Sequence, residues 1–191
     1  MSQKFYENTG RRLSDDNIKF LAEKLFGNYI SDPNNSMVSW ARFSKENLPG
    51  QIFTFWDWFY AILKLTTDHL RDLWHAGHII GFITRPHAEE LLRDQPPGTF
   101  LLRFSDSKLG GISIASVNSE NLDVMMVDPF CGSDLKLRKL PDRLCDIDEF
   151  KYLYPNISKN DAFSQYYTIV NNQYQPNNGY VVPLLVNYIP R

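Results

Sequence analysis

The sequence is poor in cysteine, with two in 191 residues. Cys131 and Cys145 are too few for a disulfide framework and stand outside any CxxC spacing, so both read as ordinary packed thiols in a reducing compartment. There is no run of about 18 apolar residues, the length a bilayer crossing needs, and "MSQKFYENTGRR" lacks the apolar stretch of a secretory leader. No membrane insertion is expected. An excess of one charge is missing too: 20 Lys and Arg face 22 Asp and Glu, for a net charge of −2. That balance gives no global basic field for nucleic acid, so any anion site must be local. Catalytic signatures are equally scarce. No GxxxxGK[ST] phosphate cradle occurs, and His69, His75, His78 and His87 have no matched carboxylate and cysteine set. The HxxH spacing of His75 and His78 supplies two nitrogens without further ligands. The expectation is a protein that is not an enzyme and holds neither cofactor nor metal.

Hydrophobic residues, 43% of the chain, suffice for a core in one large domain or two small ones. After a polar lead, "SDDNIKFLAEKLFG" predicts a helix capped by Ser14 or Asp15 and stopped at Gly27, with Ile18, Leu21, Ala22 and Leu25 on its apolar face. Ser39 caps a short helix in "WARFSKEN", which Pro49 and Gly50 end. From Thr54 a longer helix keeps Phe55, Phe59, Ile62, Leu63, Leu70, Leu73 and Trp74 on one face, and Trp58, Ala61 and Leu65 form a second stripe. A helix apolar on two sides is buried on two sides, so residues 1–74 read as a small helical unit packed around it.

The pattern changes after Gly77. "ITRPHAEELLRD" predicts a helix with Thr84 near its cap, Pro86 in its first turn and Ala88, Leu91 and Leu92 inward. Strands are expected at 99–105, 111–117 and 122–128 as an antiparallel meander. A helix opened by Pro141 follows, with Leu140, Leu144 and Ile147 inside, then a short one over 160–167. The Asn- and Gln-rich stretch 168–179 has no period and reads as a tether to "YVVPLLVNYIPR".

One charge in this pattern needs an explanation. In "GTFLLRFSDSKLGGISIA" the pleat puts Phe100, Leu102 and Phe104 on one face and Leu101, Arg103 and Ser105 on the other. A guanidinium in a buried strand requires an anion, and pattern alone favours an internal Asp or Glu. The neighbourhood favours an external one. Ser105, Asp106 and Ser107, followed by Gly110 and Gly111, form a turn of hydroxyls and donating amides, and Arg85 lies at the N-terminal end of the preceding helix. Together these suit a tetrahedral oxyanion such as phosphate.

"GFITR" and "GTFLLRFSDS" resemble the phosphotyrosine pocket of a Src-homology-2 (SH2) domain. "LWHAGHIIGFITR", "QPPGTFLLRFSDSKLGGISIA" and "FKYLYPNISKNDAFSQYY" resemble the signal transducer and activator of transcription (STAT) family. "EKLFG" and "RFSKEN" are similar to that family's helical linker domain. The resemblance implies an α+β chain: an all-α linker bundle (1–74), an SH2 domain with a central antiparallel sheet flanked by helices (75–167), and a tail (168–191). It matches Arg103 to the strand arginine that grips the phosphotyrosine phosphate and Arg85 to an auxiliary basic residue that is usually lysine. Ser105, Asp106 and Ser107 match the phosphate loop, with Asp106 where the family more often has glutamate.

In "NNGYVVPLLV", Tyr180 falls on the family's activating tyrosine, although pattern alone favours a last edge strand over 180–186 with Pro183 at its rim. Phosphotyrosine adds about −1.5 to −2 of charge and three acceptor oxygens, so modification by a tyrosine kinase would act as a switch. The implied partners are phosphotyrosine receptor tails in cytokine-receptor and Janus-kinase signalling, and a second STAT chain in a homodimer or heterodimer. The thirteen residues from Tyr167 to Tyr180 reach roughly 43 to 47 Å extended, far enough for a neighbour's pocket or the chain's own. The implied location is the cytoplasm, then the nucleus after activation. DNA would be bound only through a domain that this chain does not contain. The rival readings are an SH2 adaptor that never dimerises through its tail and a short, dominant-negative STAT-like chain.

Overall fold

The computed structural model describes residues 1–27 and 37–168. Tyr180, and all but Thr168 of the tail expected over 168–191, lie outside the described residues.

Five α-helices and one π-helical turn build the described part of residues 1–75. The stretch read as a polar lead is instead helix α1 (Ser2–Thr9), closed by Gly10 in the left-handed region. Its single apolar anchor, Phe5, is fully buried against Phe59, Trp74, Phe82 and Phe104, so one aromatic outweighs the polarity of its neighbours. Helix α2 (Asp15–Phe26) starts at Ser14, whose hydroxyl accepts from the Asn17 amide, and ends at Gly27. Its inward face is rotated from the expected one. Ile18 is exposed, and Asn17, Phe20, Leu21, Ala22 and Leu25 point in. The rotation is explained by Asn17, whose side chain donates to the Ile80 and Phe82 carbonyls at 3.2 and 3.4 Å, bonds an aliphatic residue could not make.

Helix α3 (Trp40–Ser44) is capped by Ser39 as expected. Helix α4 (Phe55–Leu65) opens with a capping box between Thr54 and Asp57. It runs through a π-helical turn (Thr66–Leu70) into α5 (Arg71–His75). The first expected stripe is inside, with Phe55, Phe59, Ile62, Leu63, Leu70, Leu73 and Trp74 buried; on the second, Trp58 and Leu65 are buried and Ala61 half-buried.

Helix α6 (Arg85–Leu92), with Thr84 as its cap and Pro86 in its first turn, precedes strands β1 (Thr99–Phe104), β2 (Gly111–Val117) and β3 (Val124–Cys131). The third strand is shifted from the expected 122–128, beginning two residues later and ending three later. Helices α7 (Gly132–Leu137) and α8 (Leu140–Cys145), short strands β4 (Tyr152–Leu153) and β5 (Ile157–Ser158), and α9 (Lys159–Phe163) follow. The sheet order is β3-β2-β1-β4-β5. β1, β2 and β3 form the antiparallel meander, but β4 joins β1 in parallel, so the sheet is mixed rather than antiparallel throughout. Two residues are too short a run to show a period, which is why β4 left no sequence signal. Cys145, expected to be packed, is exposed, because the inward positions of α8 go to Leu140 and Leu144.

The two faces of β1 separate two clusters, as the pleat requires. Phe100, Leu102 and Phe104 join the large core with Phe5, Trp58, Phe59, Trp74 and Phe82. Leu101 joins Ile83, Ala88, Leu92, Ala115 and Val117 beneath α6. The large core crosses the expected boundary near residue 74, so the helical part and the sheet share one interior. Polar contacts reinforce the junction. Arg11 donates to the Trp74 and Ile79 carbonyls at 3.1 and 2.9 Å while its guanidinium lies over the Trp74 ring.

Candidate functional site

Arg103 lies on the α6 side of β1 and is only 5% exposed. Parallel pairing of the 80–83 segment with the end of β1, through Ile80 N to Leu102 O and Phe104 N to Gly81 O, brings the approach to α6 alongside it. One terminal guanidinium nitrogen donates to the Ile83 carbonyl at 3.1 Å and, more weakly, to that of Phe104 at 3.3 Å. Asp106 supplies the internal counter-ion, but at 3.5 Å. Nε of Arg103 is buried with no hydrogen-bond partner among the described residues. Burial pulls the Arg103 pKa down, and Asp106 works against that shift; Arg85 lowers it further and Glu89 raises it. Both readings of the strand arginine thus have a physical basis: an internal carboxylate is present, yet it engages the guanidinium from one side and at long range.

The loop after β1 supplies the rest. Ser105 is buried, and its hydroxyl closes the turn by accepting from the Lys108 amide at 3.1 Å, a bond that does not use its own O–H. The Ser105 amide is also used, donating to Gly111 O. The amides of Asp106 and Ser107 make no hydrogen bond among the described residues, and Ser107 is exposed. Arg85, 53% exposed at the first turn of α6, pairs with Glu89 at 2.9 Å. The structure therefore brings Arg103, Asp106 and the loop together, places Arg85 close enough for its charge to act on Arg103, and ties the Ser105 hydroxyl into the turn as an acceptor.

Three further residues belong to this neighbourhood. Ser113 sits opposite Arg103 in the β1/β2 register and donates to Val127 O at 3.1 Å. Counting back symmetrically from the hairpin loop would have found that pairing. Trp58 donates its indole N–H to Ser105 O at 2.8 Å, and Lys24 donates to Asp106 O at 3.0 Å. A buried indole needs an acceptor, which was the available signal for Trp58. No sequence pattern pointed to Lys24, because α2 reaches the loop only through the tertiary fold.

An arginine on the second strand face, beneath the first helix of a helix–sheet–helix unit and facing a short hydroxyl-rich loop, is the arrangement in which the matches to known proteins fall. Residues 1–59 match the family described as signal transducer and activator of transcription, linker domain, and residues 78–141 match the SH2 domain. The chain carries a STAT-type linker domain followed by an SH2 domain. A protein of Anopheles gambiae named "Signal transducer and transcription activator" is 44% identical over 171 residues, which is 87% of this chain and 24% of that protein. The chain thus spans about a quarter of the length of this STAT relative. The SH2 domain of the Monosiga brevicollis CRK/CRKL homolog, solved by solution NMR, is 39% identical over 24% of this chain and 42% of that one, with a TM-score of 0.22. Within this chain the linker helices and the SH2 sheet are consecutive, and Arg103, Arg85 and the 105–107 loop all lie inside the SH2 match. It is a phosphotyrosine-binding signalling region, of families that bind and signal rather than catalyse.

Proposed function

We propose that Arg103 is the phosphate ligand of this SH2 domain, assisted by Arg85 and by the Asp106 and Ser107 amides, and that Tyr180 is the residue whose phosphorylation engages the same pocket in a second chain. The observation that carries the reading is the buried Arg103 side chain, with Nε unpartnered among the described residues and its carboxylate neighbour 3.5 Å away. A phosphate dianion offers the fork-matched acceptors that Asp106 does not reach. Asp106 and Ser105 act by shaping the loop, the first as a counter-charge in the free protein and the second through its bond to Lys108. The receptor-bound state uses the pocket once. Reciprocal exchange of Tyr180 segments uses it twice, about a two-fold axis, which converts two modest affinities into a firm dimer.

In the longer protein that the Anopheles relative exemplifies, such a dimer would move from cytoplasm to nucleus and bind DNA through a domain outside this chain. An adaptor that recognises receptor phosphotyrosines without dimerising is the second reading, favoured only by the intact pocket itself. Phosphorylation of the purified chain by a tyrosine kinase, followed by mass measurement in solution, separates them. The exchange reading requires a doubled mass that Tyr180→Phe abolishes. A phosphorylated chain that stays monomeric at tens of micromolar overturns it.

A further inference from the structure

We propose that the linker helices are part of the phosphotyrosine site, with Lys24 and Trp58 as positioning residues that hold the phosphate loop by two consecutive carbonyls. The inference rests on the assignment of Arg103 as the phosphate ligand and extends the site to a part of the chain outside the SH2 match. Trp58 of α4, fully buried, donates to Ser105 O, and Lys24 of α2 donates to Asp106 O. The two side chains also brace each other, since the Lys24 ammonium lies 4.8 Å from the Trp58 ring centroid and 5.9 Å from that of Phe20. With both carbonyls drawn toward the linker, the amides between Arg103 and Lys108 are fixed in direction before a phosphate arrives. Pre-organisation of this kind strengthens binding by removing the cost of ordering the loop.

Lys24 also contributes charge. Burial lowers its pKa; the Asp106 carboxylate raises it and Arg103 lowers it, so the ammonium and the guanidinium flank the same loop. Lys24, Arg85 and Arg103 face Asp106 and Glu89, which leaves one positive charge uncompensated where a dianion would bind. Among the described residues the Lys24 ammonium packs over linker rings, but its hydrogen bond goes to the loop and not to a carboxylate of the linker helices.

The test is an anisotropy titration with a labelled "NNGYVVPLLV" peptide phosphorylated at its tyrosine, at low and high salt, with the unphosphorylated peptide as control. Lys24→Met keeps the stem over Trp58 and removes the charge; it is expected to weaken binding about fivefold to tenfold and to flatten the salt dependence. Lys24→Arg is expected to restore affinity to within about twofold, which loss of packing alone would not allow. Trp58→Phe keeps the ring and removes the donor, and is expected to speed hydrogen exchange of the 105–108 amides. Should Lys24→Met fail to fold, Lys24→Gln carries the same expectation. Full affinity in a folded Lys24→Met or Lys24→Gln chain, or no rescue by arginine, overturns the inference while leaving Arg103 as the ligand. Failure of the unaltered chain to prefer the phosphorylated peptide overturns both.

Discussion

Replacing Arg103 with alanine removes the group on which the phosphate reading depends, and its two consequences should separate. In the complex, a buried guanidinium bonded to a phosphate would be truncated from a desolvated charge pair, a change that costs about 2 to 5 kcal/mol. Taking about 3 to 4 kcal/mol, the loss is about two to three orders of magnitude in Kd. The free protein responds less. It loses bonds to Ile83 O and Phe104 O and a 3.5 Å pairing with a partly exposed Asp106, each modest in net value. In return it no longer buries an arginine whose Nε has no partner among the described residues. The net stability change is expected to stay within about 2 kcal/mol. Isothermal titration with a phosphotyrosine peptide gives the first quantity and chemical denaturation the second. Arg85→Ala provides the graded comparison: it removes an exposed charge already paired with Glu89, and about a threefold loss is expected. Binding by Arg103→Ala within threefold of the unaltered chain would refute the reasoning, and so would an Arg85 effect larger than that of Arg103.

Two other perturbations probe the scaffold. Gly81 has φ +104° beside β1, and a Cβ there would meet the Asn17 side chain and come within 3.1 Å of Trp74, so Gly81→Ala is expected to cost about 2 to 4 kcal/mol in a denaturation experiment and to weaken the peptide site with it. His78 packs on Phe163 and Tyr166, and burial lowers its pKa despite the hydrogen bond with the Ala162 backbone. The unfolded chain therefore takes up a proton near pH 6.5 that the folded chain resists, and stability is expected to fall as the pH drops below about 6.5. His78→Phe should flatten that part of the stability profile without changing its sign elsewhere.

Much of the fold was legible because its signals are local. Ser39 and Thr84 cap the helices they were expected to cap, Ser14 is the one of its two candidates that does, and the alternation of Phe100, Leu102 and Phe104 with Leu101 and Arg103 places two different cores on the two faces of β1. What escaped depends on tertiary partners. Helix α1 is held by one phenylalanine, α2 is turned by an asparagine reaching two carbonyls of another segment, and β4 exists only because β1 has an open edge. The candidate site divides in the same way. Arg103 announced itself as a charge in an apolar strand, whereas the hydroxyl of Ser105 could be given to a ligand or to its own turn, and only geometry shows that it bonds Lys108. Lys24 and Trp58 approach the loop from 82 and 47 residues away along the chain, beyond any spacing rule.

The most direct measurement is titration of the unaltered chain with the Tyr180 segment peptide in phosphorylated and unphosphorylated form, alongside a phosphoserine version of the same sequence. Saturable binding of the phosphotyrosine peptide alone, abolished by Arg103→Ala, is the predicted result. Equal binding of the three peptides, or phosphotyrosine binding that survives loss of Arg103, would contradict the account.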